Sequence, residues 1–115
     1  MKRSEINATM KKALALFDEY KISLPPFVKW TPEEWATKGE ETREIKDNML
    51  GWDITDFGQG DFSKIGLFLI TLRNGNQKNP SVYPKTYAEK LMIVEEKQIT
   101  PMHFHWSKME DIINR

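Results

Sequence analysis

In the first twenty residues the apolar positions Ile6, Met10, Ala13, Leu14 and Phe17 recur at helical spacing, with Lys11, Lys12, Asp18 and Glu19 mostly on the other side. Residues three and four apart share one face of a helix, so the pattern predicts an amphipathic helix over 5–20 whose apolar stripe packs inward. Ser4 is its expected N-cap, the hydroxyl accepting from a free backbone N–H of the first turn. Ser23-Leu24-Pro25-Pro26-Phe27 ends the helix, because the two prolines remove donors and push the residues before them to extended geometry. Thr31-Pro32-Glu33-Glu34 starts another: a capping box with proline at the first helical position predicts a short helix that stops near Gly39. The mixed charges of 40–46 read as a solvated connection.

Beyond Asn48 the period falls to two. Trp52 and Ile54, with Asp56, take one face of an expected strand, Asp53 and Thr55 take the other, and the glycines and aspartates that follow mark turns. The run Ile65-Gly66-Leu67-Phe68-Leu69-Ile70-Thr71-Leu72 predicts a strand buried on both faces that ends at the turn pair Asn74-Gly75. A loop is expected through 76–84, then a strand over 88–95 with Lys90 beside Leu91-Met92-Ile93-Val94. The last stretch, 101–110, is expected as a further strand. Extended, it places His103 and His105 side by side on one face and Phe104 and Trp106 on the other. Helices followed by short strands predict a mainly β fold, a small barrel or sandwich, with a helical segment 1–46 packing on the strands of 47–115.

A chain of 115 residues is at most one domain. Seventeen basic and seventeen acidic residues cancel, so no global field draws it to nucleic acid or anionic lipid. It has no cysteine, which excludes disulfides, iron–sulfur clusters and thiolate zinc sites and agrees with a reducing cytoplasm. No apolar run is long enough to cross a membrane, and the expectation is a cytoplasmic protein. The candidate chemistry is therefore that of nitrogen and oxygen ligands. His103 and His105 are the only histidines, and Glu110 follows closely enough to return a carboxylate to them. Two imidazoles and a carboxylate suit Zn²⁺, Mn²⁺, Fe²⁺ or Co²⁺; two histidines satisfied by ordinary hydrogen bonds give the same sequence.

At His103-x-His105-x-x-x-x-Glu110, after Pro101, the chain resembles the first signature motif of the cupins, in which two histidines and a glutamate ligate a metal. The phrases Asp47 to Gly58, Thr71-Leu72-Arg73-Asn74-Gly75-Asn76, Tyr87-Ala88-Glu89-Lys90 and Pro101 to Arg115, with the opening Met1-Lys2-Arg3-Ser4-Glu5-Ile6-Asn7, resemble the bacterial D-lyxose isomerases. That resemblance covers essentially the whole chain. Two features depart from the cupin pattern. Lys97 stands where a glycine is expected, so the turn there must avoid positive φ or bear its cost. The chain also stops at Arg115, before the motif's last glycine, and no histidine follows Glu110. The resemblance therefore implies a cupin-type jelly-roll β-barrel preceded by N-terminal helices and incomplete on its C-terminal side.

The activity implied is a metal-dependent isomerisation of D-lyxose and D-xylulose, and of D-mannose and D-fructose, by proton transfer through an enediol. His103, His105 and Glu110 are the implied metal ligands, Mn²⁺ the implied ion ahead of Zn²⁺, Co²⁺ and Fe²⁺, a sugar the substrate, and a homodimer the assembly. The catalytic base is expected beyond residue 115. Lys108 and Lys90 are candidates to bind a sugar oxygen, each alternatively a solvated lysine, and Trp52 is a candidate wall for the sugar ring, alternatively a core aromatic. A non-catalytic metal- or sugar-binding cupin, or an inactive fragment, and an iron-dependent cupin dioxygenase share the same ligands.

Overall fold

A computed structural model describes residues 1–115. The first helix, α1, runs over Arg3–Glu19 and buries Ala13 and Phe17, the centre of the expected apolar stripe. Its start differs from the expectation: Ser4 lies inside the helix, and the Glu5 carboxylate accepts from the Lys2 backbone N–H at 2.7 Å. A glutamate in the first turn satisfies the flanking N–H and favours the positive end of the helix dipole, so no hydroxyl cap is needed. After a 3₁₀ turn at Pro26–Lys29 comes α2, Pro32–Ala36. Its capping box forms as expected: the Glu34 N–H donates to Thr31 Oγ1 at 3.2 Å, and the Thr31 N–H donates to Glu34 Oε2 at 2.7 Å.

The charged segment expected as a solvated connection is instead ordered, as a 3₁₀ turn at Glu40–Thr42 leading into α3, Arg43–Asp47. Thr42 is buried, its hydroxyl donating to the Gly39 carbonyl at 2.9 Å, and Arg43 reaches Asp47 one turn later at 3.4 Å. Charges four apart on a helix attract across one turn, which gives local helicity without an apolar stripe.

Three antiparallel strands follow: β1 Gly51–Thr55, β2 Leu67–Arg73 and β3 Glu89–Ile93, with β2 in the centre. The N-terminal helices and the sheet agree with the expected class, and the sheet is open. The register sets Trp52 and Ile54 against Ile70 and Phe68, and these against Leu91 and Ile93. Directly opposed residues of an antiparallel pair point to the same side. All six therefore share one face, and Phe68, Ile70, Ala13, Phe17 and Val28 form the core between that face and α1. The opposite face carries Asp53, Leu69, Thr71, Lys90 and Met92 in the same register. β2 is thus buried on both sides, as its unbroken apolar run predicts.

Asn74-Gly75 does not make a tight hairpin. Asn74 Nδ2 donates to the Asn48 carbonyl at 3.0 Å and Asn48 Nδ2 to the Asn74 carbonyl at 3.2 Å, a reciprocal lock between the end of β2 and the end of α3. Tyr83 adds a bond from its hydroxyl to Asp47 Oδ2 at 2.6 Å. Glycine is required at position 75 by proximity: a Cβ there would collide with the Lys85 carbonyl oxygen. Gly75→Ala is expected to cost about 1–3 kcal/mol, the usual range for forcing an extra carbon into a packed site. Urea denaturation of the variant and the parent measures it, and equal midpoints would refute the contact.

The turn after β1 is built on Asp56, whose carboxylate accepts from the Gly58 N–H at 3.0 Å and the Gly60 N–H at 3.1 Å and lies 3.7 Å from the Met1 ammonium. The Gly58 N–H foremost, then the Met1 charge and Gly60, hold its carboxyl below the usual range against the opposing effect of desolvation. A depressed folded-state pKa means that Asp56 contributes stability above the ordinary carboxylate pKa of about 4, and that this contribution is lost as pH falls through the folded value. The stability gap between parent and Asp56→Asn is accordingly expected to narrow on acidification from about pH 6 to about pH 3. Denaturation midpoints read at each pH test this, and a constant gap would contradict it.

Candidate functional site

The segment expected as the histidine strand joins no sheet: 101–105 has no regular structure, and a bend follows at Trp106 and Ser107. β3 has no further neighbour, and an extended segment becomes a strand only when a partner takes its backbone groups. The local alternation nevertheless forms. The rings of His103 and His105 lie 5.2 Å apart, edge to face, and those of Phe104 and Trp106 pack in the same way at 5.2 Å. Trp106 is 91 % exposed, so the apolar pair faces solvent.

The approach to this segment is fixed by Gln98, buried between two backbone contacts. Its Nε2 donates to the Phe62 carbonyl at 2.5 Å, and its Oε1 accepts from the Glu95 N–H at 3.1 Å. Lys97, just before it, has φ of 62°, so the turn adopts the left-handed geometry that the missing glycine would ease and bears the cost. Ile99 then bridges to Ile65, its carbonyl accepting from the Gly66 N–H at 3.0 Å. Gln98 is not evident from the sequence, since a single glutamine in a charged stretch carries no pattern.

The bend at 106–107 returns Glu110 to the histidines. Glu110 Oε2 lies 3.4 Å from His105 Nε2, and Glu110 Oε1 accepts from Lys108 Nζ at 2.6 Å. The Lys108 hydrogen bond foremost, then the Lys108 charge and the neighbouring His105 and Lys90, hold the Glu110 carboxyl below its usual range, with desolvation opposing. His103 Nδ1 is 2.8 Å from the Pro101 carbonyl. A carbonyl only accepts, so Nδ1 is the donor in this contact, and in the neutral ring the lone pair is then on Nε2.

The structure thus brings His103, His105, Lys108 and Glu110 together and places Lys90 within electrostatic reach. It does not bring Trp52 to them. Trp52 lies on the face turned to α1, its Nε1 donates to the Val28 carbonyl at 2.8 Å, and its ring packs edge to face on Phe68 at 5.3 Å. Lys90 lies on the opposite face. One sugar cannot meet both, and the contacts of Trp52 are those of a core residue.

The donor set suits a divalent ion. With metal–nitrogen and metal–oxygen bonds of about 2.0–2.2 Å, two ligands at a tetrahedral angle stand about 3.4 Å apart, which matches the separation of His105 Nε2 and Glu110 Oε2. A hydrogen bond from the second ring nitrogen to a backbone carbonyl, as His103 makes, is the usual way a metal-binding imidazole is oriented. Three side chains do not converge: no group of three His, Asp or Glu residues stands ready to hold an ion. The pair His105–Glu110 is formed, and His103 stands beside it.

A family model for D-lyxose isomerase matches residues 1–115. The chain is 47% identical over 116 aligned residues to a D-lyxose/D-mannose isomerase of Escherichia coli O157:H7, covering 100% of this chain and 51% of that protein. It is 46% identical over 116 aligned residues to a D-lyxose/D-mannose isomerase of Serratia proteamaculans, covering 100% and 50%. The chain spans about half the length of the curated relatives it matches. The match runs from Met1 to Arg115, through the strands of the sheet and the segment that holds His105 and Glu110, and this chain belongs to the D-lyxose isomerase family.

Proposed function

We propose that these residues form the metal-holding part of an aldose–ketose isomerase acting on D-lyxose and D-xylulose and on D-mannose and D-fructose, with His103, His105 and Glu110 as ligands of a divalent ion, Mn²⁺ ahead of Zn²⁺, Co²⁺ and Fe²⁺. The observation that carries the reading is the approach of Glu110 to His105 in a chain that matches the family over its whole length. A divalent ion, when bound, supplies Lewis acidity toward the sugar's carbonyl and hydroxyl oxygens. His103 and His105 must be neutral and Glu110 ionised to serve as ligands, and the depressed carboxyl of Glu110 keeps it so. Lys108 holds Oε1 of that carboxylate and so leaves Oε2 facing His105.

Lys90, on the face of the sheet away from α1, donates to a sugar oxygen and offsets negative charge that grows as a proton leaves the adjacent carbon. Glu110 and the histidines are committed as ligands and therefore do not remove that proton; the base lies outside these residues. A cupin-type barrel, a homodimer and a cytoplasmic location belong to the same proposal. No helix here is long and apolar enough to cross a membrane.

The test is conversion of D-lyxose to D-xylulose, and of D-mannose to D-fructose, after chelation and after Mn²⁺ addition. It is run on this chain and on a form extended to the length of its relatives. Turnover by the extended form that disappears on chelation and returns with Mn²⁺ is the expected result. No turnover by either form would overturn the isomerase reading, and oxygen uptake with Fe²⁺ in its place would assign a dioxygenase.

A further inference from the structure

The ladder between β2 and β3 is regular from Phe68↔Ile93 to Thr71↔Lys90, and then slips so that Arg73 faces Glu89. Two residues of β2, Leu72 and Arg73, stand against one of β3, the arrangement of a β-bulge. Without the slip Leu72 would oppose Glu89, and both would lie on the face that packs on α1, with a carboxylate beside apolar side chains. With the slip Leu72 still packs against the core, while the residue opposite Glu89 is Arg73, whose guanidinium pairs with its carboxylate.

Glu89 is the first residue of an edge strand and follows a long irregular segment, 74–88. Strand ends of that kind open first, because each terminal residue is held by few contacts. An ion pair across the ladder at Glu89 pins the end, and the next residue inward is Lys90. Bulges recur beside active sites because they re-aim the side chain next to them.

We propose that Arg73 and Glu89 are positioning residues for Lys90, their ion pair closing the bulge and holding that lysine on the face turned from α1. Their effect on catalysis rests on the isomerase reading above; the positioning itself does not. Arg73 and Glu89 touch neither sugar nor ion in this reading and act only through Lys90.

The experiment uses Arg73→Glu, Glu89→Arg and the double exchange Arg73→Glu/Glu89→Arg, each alone and combined with Lys90→Ala. The extended form provides kinetics, and this chain, with ¹³C-labelled lysine, provides the ε-carbon resonance of Lys90 by NMR. Each single reversal is expected to lower kcat about tenfold, from a lost attraction plus a new repulsion across the strands, with KM for D-lyxose unchanged. The double exchange is expected to restore kcat. In the Lys90→Ala background the reversals are expected to change nothing further. Single reversals should also narrow the Lys90 ε-carbon line as the side chain becomes mobile, and the exchange should broaden it again.

Reversals that lower kcat equally with and without Lys90 would assign the pair a merely structural role and overturn the proposal. So would wild-type kinetics and an unchanged Lys90 line in both reversals. If the extended form turns over no sugar but the Lys90 line responds as described, the positioning stands and the isomerase reading falls.

Discussion

Phe68→Ala is expected to lower the unfolding free energy of this chain by about 3–5 kcal/mol, the range found when a buried aromatic is cut back to a methyl group. Phe68 sits in the central strand, 2 % exposed, with the Phe17 ring of α1 at 6.3 Å and the Trp52 ring at 5.3 Å. Its removal opens a cavity where the helix meets the sheet, and the strand backbone on either side prevents collapse into it. Only 13 of 115 residues are buried, so few other contacts compensate, and a loss of this size is a large share of the about 5–15 kcal/mol that folded domains hold. Urea denaturation followed by tryptophan fluorescence measures the difference. Leu69→Ala, on the other face of β2 and outside the cluster of Phe68, Ile70, Ala13, Phe17 and Val28, is the comparison, and it is expected to cost less because a smaller side chain outside that cluster is removed. Equal losses at the two positions would refute the assignment of the core to one face.

The two-sided burial of β2 is legible in the sequence, because an apolar run from Leu67 to Leu72 bounded by turn residues leaves no polar side to face water. The helix α1 and the capping box at Thr31 are legible for a similar reason: a period or a spacing names the contact directly. The charged segment at α3 hides its structure, since its order comes from one buried threonine and one ion pair four apart, and the same residues on a loop would look alike. The face of Trp52 follows from alternation, but which face meets α1 depends on packing between distant segments, and that decides between wall and core. Gly75 stands out as a turn residue, yet the reason it must be glycine is the Lys85 carbonyl ten residues on, which no local pattern shows. In the histidine segment the alternation is legible and the pairing is not. Side-chain sides follow from the backbone of one segment, whereas a strand needs a second segment to accept it.

Glu110→Ala and His105→Ala are each expected to lower the affinity of this chain for Mn²⁺ by more than tenfold, and to reduce turnover by the extended form at least as much, since even a partner of a ligand is worth about 10–100-fold. Titration of the free ion by electron paramagnetic resonance measures the first and D-xylulose formation the second. His103→Ala distinguishes a pair from a triad. His103 stands beside His105 without converging on Glu110, so a ligand role requires the ion to draw it in, and its loss then weakens binding as the other two do. Unchanged affinity in His103→Ala would leave His105 and Glu110 as the ligands and His103 outside the site. Protons compete with the ion for the imidazoles, so affinity falls as the solution is acidified, whereas the Glu110 carboxyl is held below its usual range, by the Lys108 hydrogen bond foremost. Lys108→Ala separates holding from catalysis. It removes the bond that orients the Glu110 carboxylate at 2.6 Å and also a cation that repels the ion. On the proposed reading these two effects oppose one another in binding but not in turnover, where the orientation of Oε2 and a cation available to a sugar oxygen act in the same direction. Mn²⁺ binding that survives in Lys108→Ala while kcat falls is the expected result, and loss of both together would place Lys108 in the ion's own support.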